Sequence, residues 1–384
     1  MSRATDRATD GPTSAAARAP RPGAAPLRVL QYGVHDTGYP RNVRVRAHLE
    51  RQVGASVVVA PRSRAARRLR RAIDDVRSLV RGARQADVVL LSEFRLSHAP
   101  LAWLVARLHG AALVVDGFVG LHETAVDDWR RVSPTSPAAL RFRVLDAVAV
   151  RCADLYLIDT EPRAAEVVRR HAPSAVVLPL AVGAPAWATW QPPAPPHDAL
   201  RVLYYGGYIP LHGVDLVVDA LALAAARRRV EVVLVGDGPA RRTIEARVRR
   251  AGLADRCTFL DAVAESELVD HIARADVVLG VFGSSVKARG VVANKVWQGL
   301  ACGRTVVTQR SSALDDVRRE VGGLLVQTEP ASASSIADAL VAVRPADQAQ
   351  APRDVAVRLE AVVRRSYDLF TDHLSALGRG RVRS

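Results

Sequence analysis

Lysine is almost missing from this chain: of its 54 lysines and arginines, only Lys287 and Lys295 are lysine. Cysteine is also scarce. Cys152, Cys257 and Cys302 lie far apart and form no CxxC pair, which argues against a disulfide framework or a zinc site and suits a reducing compartment. No run reaches the ~18 uninterrupted apolar residues of a spanning helix. The nearest, Leu101 to Gly120, is broken by Arg107 and His109. The first residues include arginines but no apolar core, so no signal peptide is expected. Helix-turn-helix, zinc-finger and aromatic RNA-binding patterns are absent as well, so no specific nucleic-acid partner is expected. These absences leave a soluble protein, or one peripheral to a membrane.

Hydrophobic residues make up 49% of the 384 residues and charged residues 24%, enough for two domains with ample cores. The net charge of +15 implies attraction to something acidic. Residues 1–26, rich in Ala, Pro, Thr and Arg, read as a disordered tail. Residues 27–190 read as a Rossmann-like domain. Its strands are Leu27–Tyr32, Ser56–Val59, Ala86–Leu91, Ala112–Asp116 and Ala153–Asp159, with helical sequence between them. A Pro-rich linker occupies 191–199, and the alternation restarts over 200–350 with strands at Leu200–Tyr205, Val230–Val235, Cys257–Leu260, Asp276–Phe282 and Thr305–Thr308. A terminal helix, Pro352 to Leu374, lies within 351–384, which ends in a basic tail. The fold class is therefore α/β: two Rossmann-like domains with parallel sheets whose ligand edges face each other.

Loops at the carboxyl edge of parallel sheets bind ligands. In the first domain this places Tyr39, Arg41 and Asn42, in the loop Gly33–Asn42, among the candidate contacts. Asp116 ends a strand at the same edge. Glu123 and Asp127 follow it, and no histidine or third carboxylate stands at metal spacing around Asp127-Asp128, so no metal is expected. Arg62 to Arg84 reads as a basic amphipathic helix with Leu69, Ile73, Val76 and Val80 on one face. Such a helix suits an anionic membrane surface or phosphates.

In the second domain Phe282 is read as ending a strand, with Gly283-Ser284-Ser285 turning beyond it. Asn294 is read as capping a short helix, and Lys295 falls in that helix's first turn, where exposed N–H groups and the helix dipole favour a phosphate. Gln298 follows on the same face. Lysine is a compact point charge, able to meet one phosphate oxygen without filling a pocket. Two lysines eight residues apart, in a chain that otherwise uses arginine, point to an anion site.

Over Val235-Gly236-Asp237-Gly238-Pro239, Ala273-Arg274-Ala275-Asp276 and Gly299-Leu300-Ala301-Cys302-Gly303, the sequence resembles the retaining glycosyltransferases of the GT-B fold, family 4. The resemblance is clearest from Val202 to Thr308 and extends through Tyr39-Pro40-Arg41-Asn42 and Ala153-Asp154. It implies that the second domain binds a nucleotide-activated sugar, that the first binds the acceptor, and that the terminal helix packs back on the first domain. The family's Glu-x7-Glu pair falls on Gly290 and Gln298, and its phosphate-contacting Arg and Lys fall on Gly207 and His212. The family's acceptor-side His aligns with Asp116. The missing cations are expected to be replaced by Lys287 and Lys295.

The resemblance thus implies sugar transfer with retention, without a cofactor or metal. Asp116, Lys287 and Lys295 would act at the reacting centre. The donor would lie against Gly207, Tyr208, His212, Gly236, Gly238, Phe282, Gly283, Ser284, Ser285, Asn294 and Gln298. Tyr39, Arg41, Asn42, Glu123 and Asp127 would face the acceptor, a lipid-linked or surface glycan. The expected location is the cytoplasm, with the basic helix offering contact to the inner face of the membrane. A nucleotide-sugar epimerase and a non-catalytic nucleotide-binding homologue remain as alternatives.

Overall fold

The structure, a computed structural model, describes residues 26–344 except 194 and 196, and residues 351–381, with side chains to 378. Residues 1–25 of the tail expected at 1–26, the stretch 345–350 and residues 382–384 of the expected basic tail lie outside the described residues.

The first sheet has strands β1 (Arg28–Val34), β2 (Ser56–Pro61), β3 (Val88–Leu91), β4 (Ala112–Asp116), β5 (Leu155–Ile158) and β6 (Val176–Pro179), in the order β2-β1-β3-β4-β5-β6. Helices α1 (Pro40–Arg51), α2 (Arg68–Ala83), α3 (Ala99–Leu108), α4 (Pro137–Cys152) and α5 (Glu161–His171) connect them. The second sheet has β7 (Leu200–Tyr205), β8 (Val230–Val235), β9 (Cys257–Leu260), β10 (Val277–Leu279), β11 (Thr305–Gln309) and β12 (Leu325–Thr328), in the order β12-β11-β10-β7-β8-β9. Its helices are α6 (Val214–Ala225), α7 (Arg241–Arg250), α8 (Leu268–Arg274), α9 (Val286–Gly290), α10 (Asn294–Ala301), α11 (Asp315–Val321) and α12 (Ala333–Ala342).

Every strand pair described is parallel. Burial on both faces explains why the central strands are continuous apolar runs rather than alternating ones. Strand order reverses between β1 and β3 in the first sheet and between β7 and β10 in the second. Crevices for ligands open at such switch points. The architecture is the two-sheet GT-B arrangement.

A last helix, α13 (Val355–Arg381), buries Val355, Leu359, Val363, Tyr367, Phe370 and Leu374 along one stripe. It rests on α10 and α11 of the second domain and reaches β6 of the first. His48 meets Thr371 at 2.8 Å, and Ser366 accepts the Ala181 amide at 3.3 Å. The helix therefore fastens the two domains to each other.

Several local expectations are corrected. Helix α1 begins at Pro40, so Arg41 and Asn42 are helical and buried rather than loop residues. Proline is pre-set for a first helical turn and lacks only an N–H that would be orphaned there. Helix α2 starts at Arg68 and buries Asp75, Leu79 and Ala83, leaving Leu69 74% exposed beside exposed Ile73 and Val76. Asp75, which accepts the Ser63 amide at 2.8 Å and pairs with Arg95, anchors that side. Strand β10 ends at Leu279, so Phe282 lies in the loop beyond it. Pro239, expected in the first turn of the helix after Gly236-Asp237-Gly238, instead forms a turn with Ala240 ahead of α7. Lys287 belongs to α9, whose N-cap is Ser285. Asn294 is the first residue of α10 and makes no side-chain cap. Strands β6 and β12 were not anticipated.

Candidate active site

The loops after β7 and β10 meet at the second sheet's switch point. The amides of Phe282 and Gly283 donate to the carbonyls of His212 and Leu211, each at 3.1 Å, and the Tyr208 amide donates to Asp237 at 3.2 Å. The loop 206–213 is thereby held between the turns at 236–238 and 282–283. Gly207, His212, Gly236, Gly238 and Gly283 gather here. The Phe282 and Gly283 amides are spent on this internal bracing. Phe282 and Tyr208 are buried, with the Tyr208 ring set edge-on to Tyr204 at 5.3 Å. Both side chains line the floor of this loop cluster.

Lys295 rises from the first turn of α10 into this floor. It is 4% exposed, and its Nζ has no hydrogen-bond partner among the described residues. The ammonium lies 4.3 Å from the centre of the Tyr204 ring. Gly206, at φ 131°, borders it: a Cβ there would come 3.4 Å from Nζ and 3.0 Å from His212. Burial without a counter-charge brings the Lys295 pKa down to about 7. Burial, and then the Lys295 charge, hold His212 well below its ordinary value, so its imidazole is neutral. His212 Nδ1 lies 2.8 Å from the Tyr204 hydroxyl, which is 3.1 Å from the Gly207 carbonyl. The carbonyl can only accept, so tyrosine donates to it and Nδ1–H donates to tyrosine. Nε2 is left as an acceptor.

Gln298 is buried three residues on. Its Oε1 accepts from Tyr205 at 2.8 Å and its Nε2 donates to Glu265 at 3.3 Å. Glu265 was not anticipated, since nothing in its local sequence sets it apart. Ser284 is exposed, whereas Ser285 turns inward to cap α9 through the Ala288 amide at 3.1 Å. Asn294 is half-buried at the start of α10.

The structure separates the two lysines. Lys287 crosses to the first domain, 3.3 Å from Glu123 and 3.4 Å from Thr124. Burial alone would raise the Glu123 pKa, but Arg163 and Lys287 hold it below the ordinary carboxylate value. Thr160 donates to the Gly290 carbonyl at 2.6 Å, and Ser285 donates to Asp128 at 3.4 Å. A Cβ on Gly290 would meet Arg163 at 2.9 Å, so the first domain fills the space where a glutamate would extend. These bonds bring the two carboxyl edges together.

On the first-domain side, Arg41 donates to both carboxylate oxygens of Asp116, at 2.7 and 3.0 Å, and to the Leu180 carbonyl at 2.7 Å. The Phe118 amide occupies Asp116 Oδ1 at 3.1 Å. With both partners buried, the pair is an internal anchor. Asp116 Oδ1 thus accepts two bonds, from Arg41 and Phe118, and Oδ2 accepts one, from Arg41. Asn42 links Gln31 to Glu93, at 3.1 and 2.7 Å. Tyr39 packs between Phe94 and Phe118. Asp127 is exposed beside His122 at 3.3 Å. Among the described residues no three His, Cys, Asp or Glu side chains converge as metal ligands.

Residues 199–344 match the family described as Glycosyl transferases group 1. The matched stretch spans the second sheet and contains the Lys295 site. Over 142 residues the chain is 33% identical to the GDP-mannose-dependent alpha-(1-6)-phosphatidylinositol monomannoside mannosyltransferase of Mycobacterium tuberculosis. That match spans 34% of this chain and about a third, 35%, of the relative's length. Among solved structures, sucrose-phosphate synthase from Thermosynechococcus elongatus aligns with a TM-score of 0.67 at 16% identity, covering 92% of this chain and 98% of that one. Anabaena HepE in complex with UDP and glucose aligns with a TM-score of 0.64, also at 16% identity and with the same coverage. At such identities the likeness concerns the fold.

Proposed function

We propose that this protein transfers a sugar from a nucleoside-diphosphate donor to an acceptor hydroxyl, with retention and without a metal. The observation that carries this reading is the unpartnered Lys295 ammonium at the switch point of the second sheet. A buried charge without a partner is costly, and a bound anion removes that cost. Retention rests on the family resemblance.

In the reaction the bond from the sugar's anomeric carbon to the diphosphate oxygen breaks. The acceptor oxygen bonds to that carbon, and its proton leaves to the departing phosphate. Negative charge grows on the diphosphate, and Lys295 stabilises it without reorganising. The neutral His212 accepts a hydroxyl hydrogen bond through Nε2. The Gln298 and Glu265 pair lies one helical turn from Lys295, suited to ribose hydroxyls. Lys287, held by Glu123, ties the first domain to the cleft edge beside this site.

The test is titration calorimetry of the full chain with UDP, GDP and dTDP at pH 6 and pH 8. One nucleotide binds, and at one hundred times its dissociation constant it adds ~2.7 kcal/mol of stability. Lys295 is mostly neutral at pH 8 in the free protein and regains its charge beside phosphate. Binding therefore takes up about one proton at pH 8 and almost none at pH 6. Affinity falls as pH rises above 7. Binding by none of the nucleotides ends this reading, and a proton count of zero at pH 8 removes Lys295 from it.

The relative's name specifies a phosphatidylinositol monomannoside acceptor, and the face of α2 supports a lipid-linked acceptor here too. No described helix is long and apolar enough to cross a membrane. Exposed Leu69, Ile73 and Val76 instead stand among exposed Arg68, Arg70, Arg71, Arg77 and Arg81, the composition of a surface-lying helix. We place the enzyme at the inner face of the membrane, in cell-envelope glycan assembly. It should sediment with phosphatidylglycerol vesicles and not with phosphatidylcholine alone, and Leu69→Ser with Ile73→Ser should weaken that binding at least tenfold. Equal sedimentation of the variant removes α2 from the role.

A further inference from the structure

The first sheet has its own switch point, between β1 and β3, and the turn there was not singled out from the sequence. Its residues Ser92, Glu93, Phe94 and Arg95 carry an unusual load. Glu93 is 0% exposed, and only its Oε1 is bonded, by Asn42 at 2.7 Å. Oε2 has no hydrogen-bond partner among the described residues, nor have Ser92 Oγ and Arg95 Nε. Buried polar atoms are nearly always satisfied, so three in one short turn need a reason. Phe94 adds a second anomaly. It holds φ at 61°, a backbone region that costs a bulky side chain energy, and the residue is 41% exposed.

Around Phe94 the aromatic rings assemble into a shelf. His35 lies 5.7 Å away and Tyr39 6.5 Å, and Tyr39 continues to Phe118 at 6.3 Å. A saturated ring with C–H bonds on one face stacks on such a surface. The Arg41 and Asp116 charges cancel in their paired salt bridge, leaving Glu93 Oε2 as the oxygen without a partner among the described residues. An acidic group in that position repels phosphate and accepts hydroxyls.

We propose that Glu93 Oε2 hydrogen-bonds a hydroxyl of the acceptor, whose uncharged cyclic polyol ring stacks on Phe94 with Tyr39 as the movable cover. The proposal rests on the transferase reading and assigns the acceptor side of that same cleft. Glu93 becomes a specificity residue for ring polyols, and the strain at Phe94 holds the shelf open toward them. Burial, and next the neighbouring Asp116 charge, raise the Glu93 pKa to about 7, against the Asn42 bond and Arg41. A carboxyl poised there can accept from a hydroxyl or donate to it.

Methyl α-mannopyranoside and myo-inositol serve as probes, titrated into the full chain with and without saturating nucleotide. The wild type should bind at least one. Glu93→Gln keeps the size of the side chain, and Phe94→Gly suits the left-handed backbone. Each should weaken the probe at least tenfold while nucleotide affinity stays within twofold and the melting temperature of Phe94→Gly holds or rises. A purely structural Glu93 would instead lower the melting temperature and weaken nucleotide and probe together. That result, no probe binding to the wild type, or equal probe binding by both variants overturns the proposal. Probe binding that persists as described when no nucleotide binds would sink the donor reading and leave this one standing.

Discussion

Replacing Lys295 by methionine should make the protein more stable and nearly inactive. In the free protein the ammonium is buried without a hydrogen bond or a counter-ion among the described residues, resting against the Tyr204 and Tyr205 rings. Methionine fills a similar volume with no charge to desolvate, and such replacements stabilise by ~1–4 kcal/mol. The gain depends on pH in a defined sense. The Lys295 pKa falls from 10.5 to about 7 on folding, so between these values the unfolded chain holds a proton that the folded one lacks. Wild-type stability therefore rises with pH from 7 toward 10.5. The methionine variant loses that slope, and its advantage is largest at or below pH 7. Turnover moves the other way: losing one preorganised donor to a developing oxyanion costs ~2.7–4 kcal/mol of barrier, or roughly 10²–10³ in rate. Urea denaturation at pH 7 and pH 9, run beside nucleotide titration, reads both effects. A destabilised variant that still binds nucleotide would make Lys295 an ordinary structural residue.

Asp116→Asn is expected to fail for a different reason. Both Asp116 oxygens lie on the Arg41 guanidinium, and both side chains are buried. Removing the negative charge leaves Arg41 cationic without compensation between α1, β4 and the segment after β6. Breaking a buried pair from one side costs ~3–5 kcal/mol. The variant should unfold at markedly lower urea, and a double replacement of Arg41 and Asp116 by apolar residues of similar size should recover part of the loss. Any activity missing from Asp116→Asn then reflects a smaller folded fraction. If its stability lies within ~1 kcal/mol of wild type while transfer is abolished, Asp116 has a direct part in the reaction after all.

The sequence by itself determined the alternation that builds both sheets. Runs such as Leu200–Tyr205 and Val230–Val235 are apolar throughout because each strand is covered on both faces, and the βα connections place their loops on one edge. It also placed Lys295 in the first turn of a short helix, where an anion site was expected. These features depend on neighbours within a few residues, which composition and periodicity record.

Long-range geometry decided the rest. The apolar spacing of α2 put Leu69, Ile73, Val76 and Val80 on one face, but which face packs on the sheet was set elsewhere: Asp75, Leu79 and Ala83 face inward, with Asp75 paired to Arg95 twenty residues on. Arg41 and Asp116 read as separate ligand contacts until folding laid them together across 75 residues. Lys287 and Lys295 read as one clamp, but Glu123, 164 residues before Lys287, draws that lysine to the other domain. Glu93 gave no local signal, because a single carboxylate after a strand looks the same whether it meets water or a dry interior. A charged group's role depends on which partners and how much solvent the tertiary fold leaves it, and no local pattern encodes either.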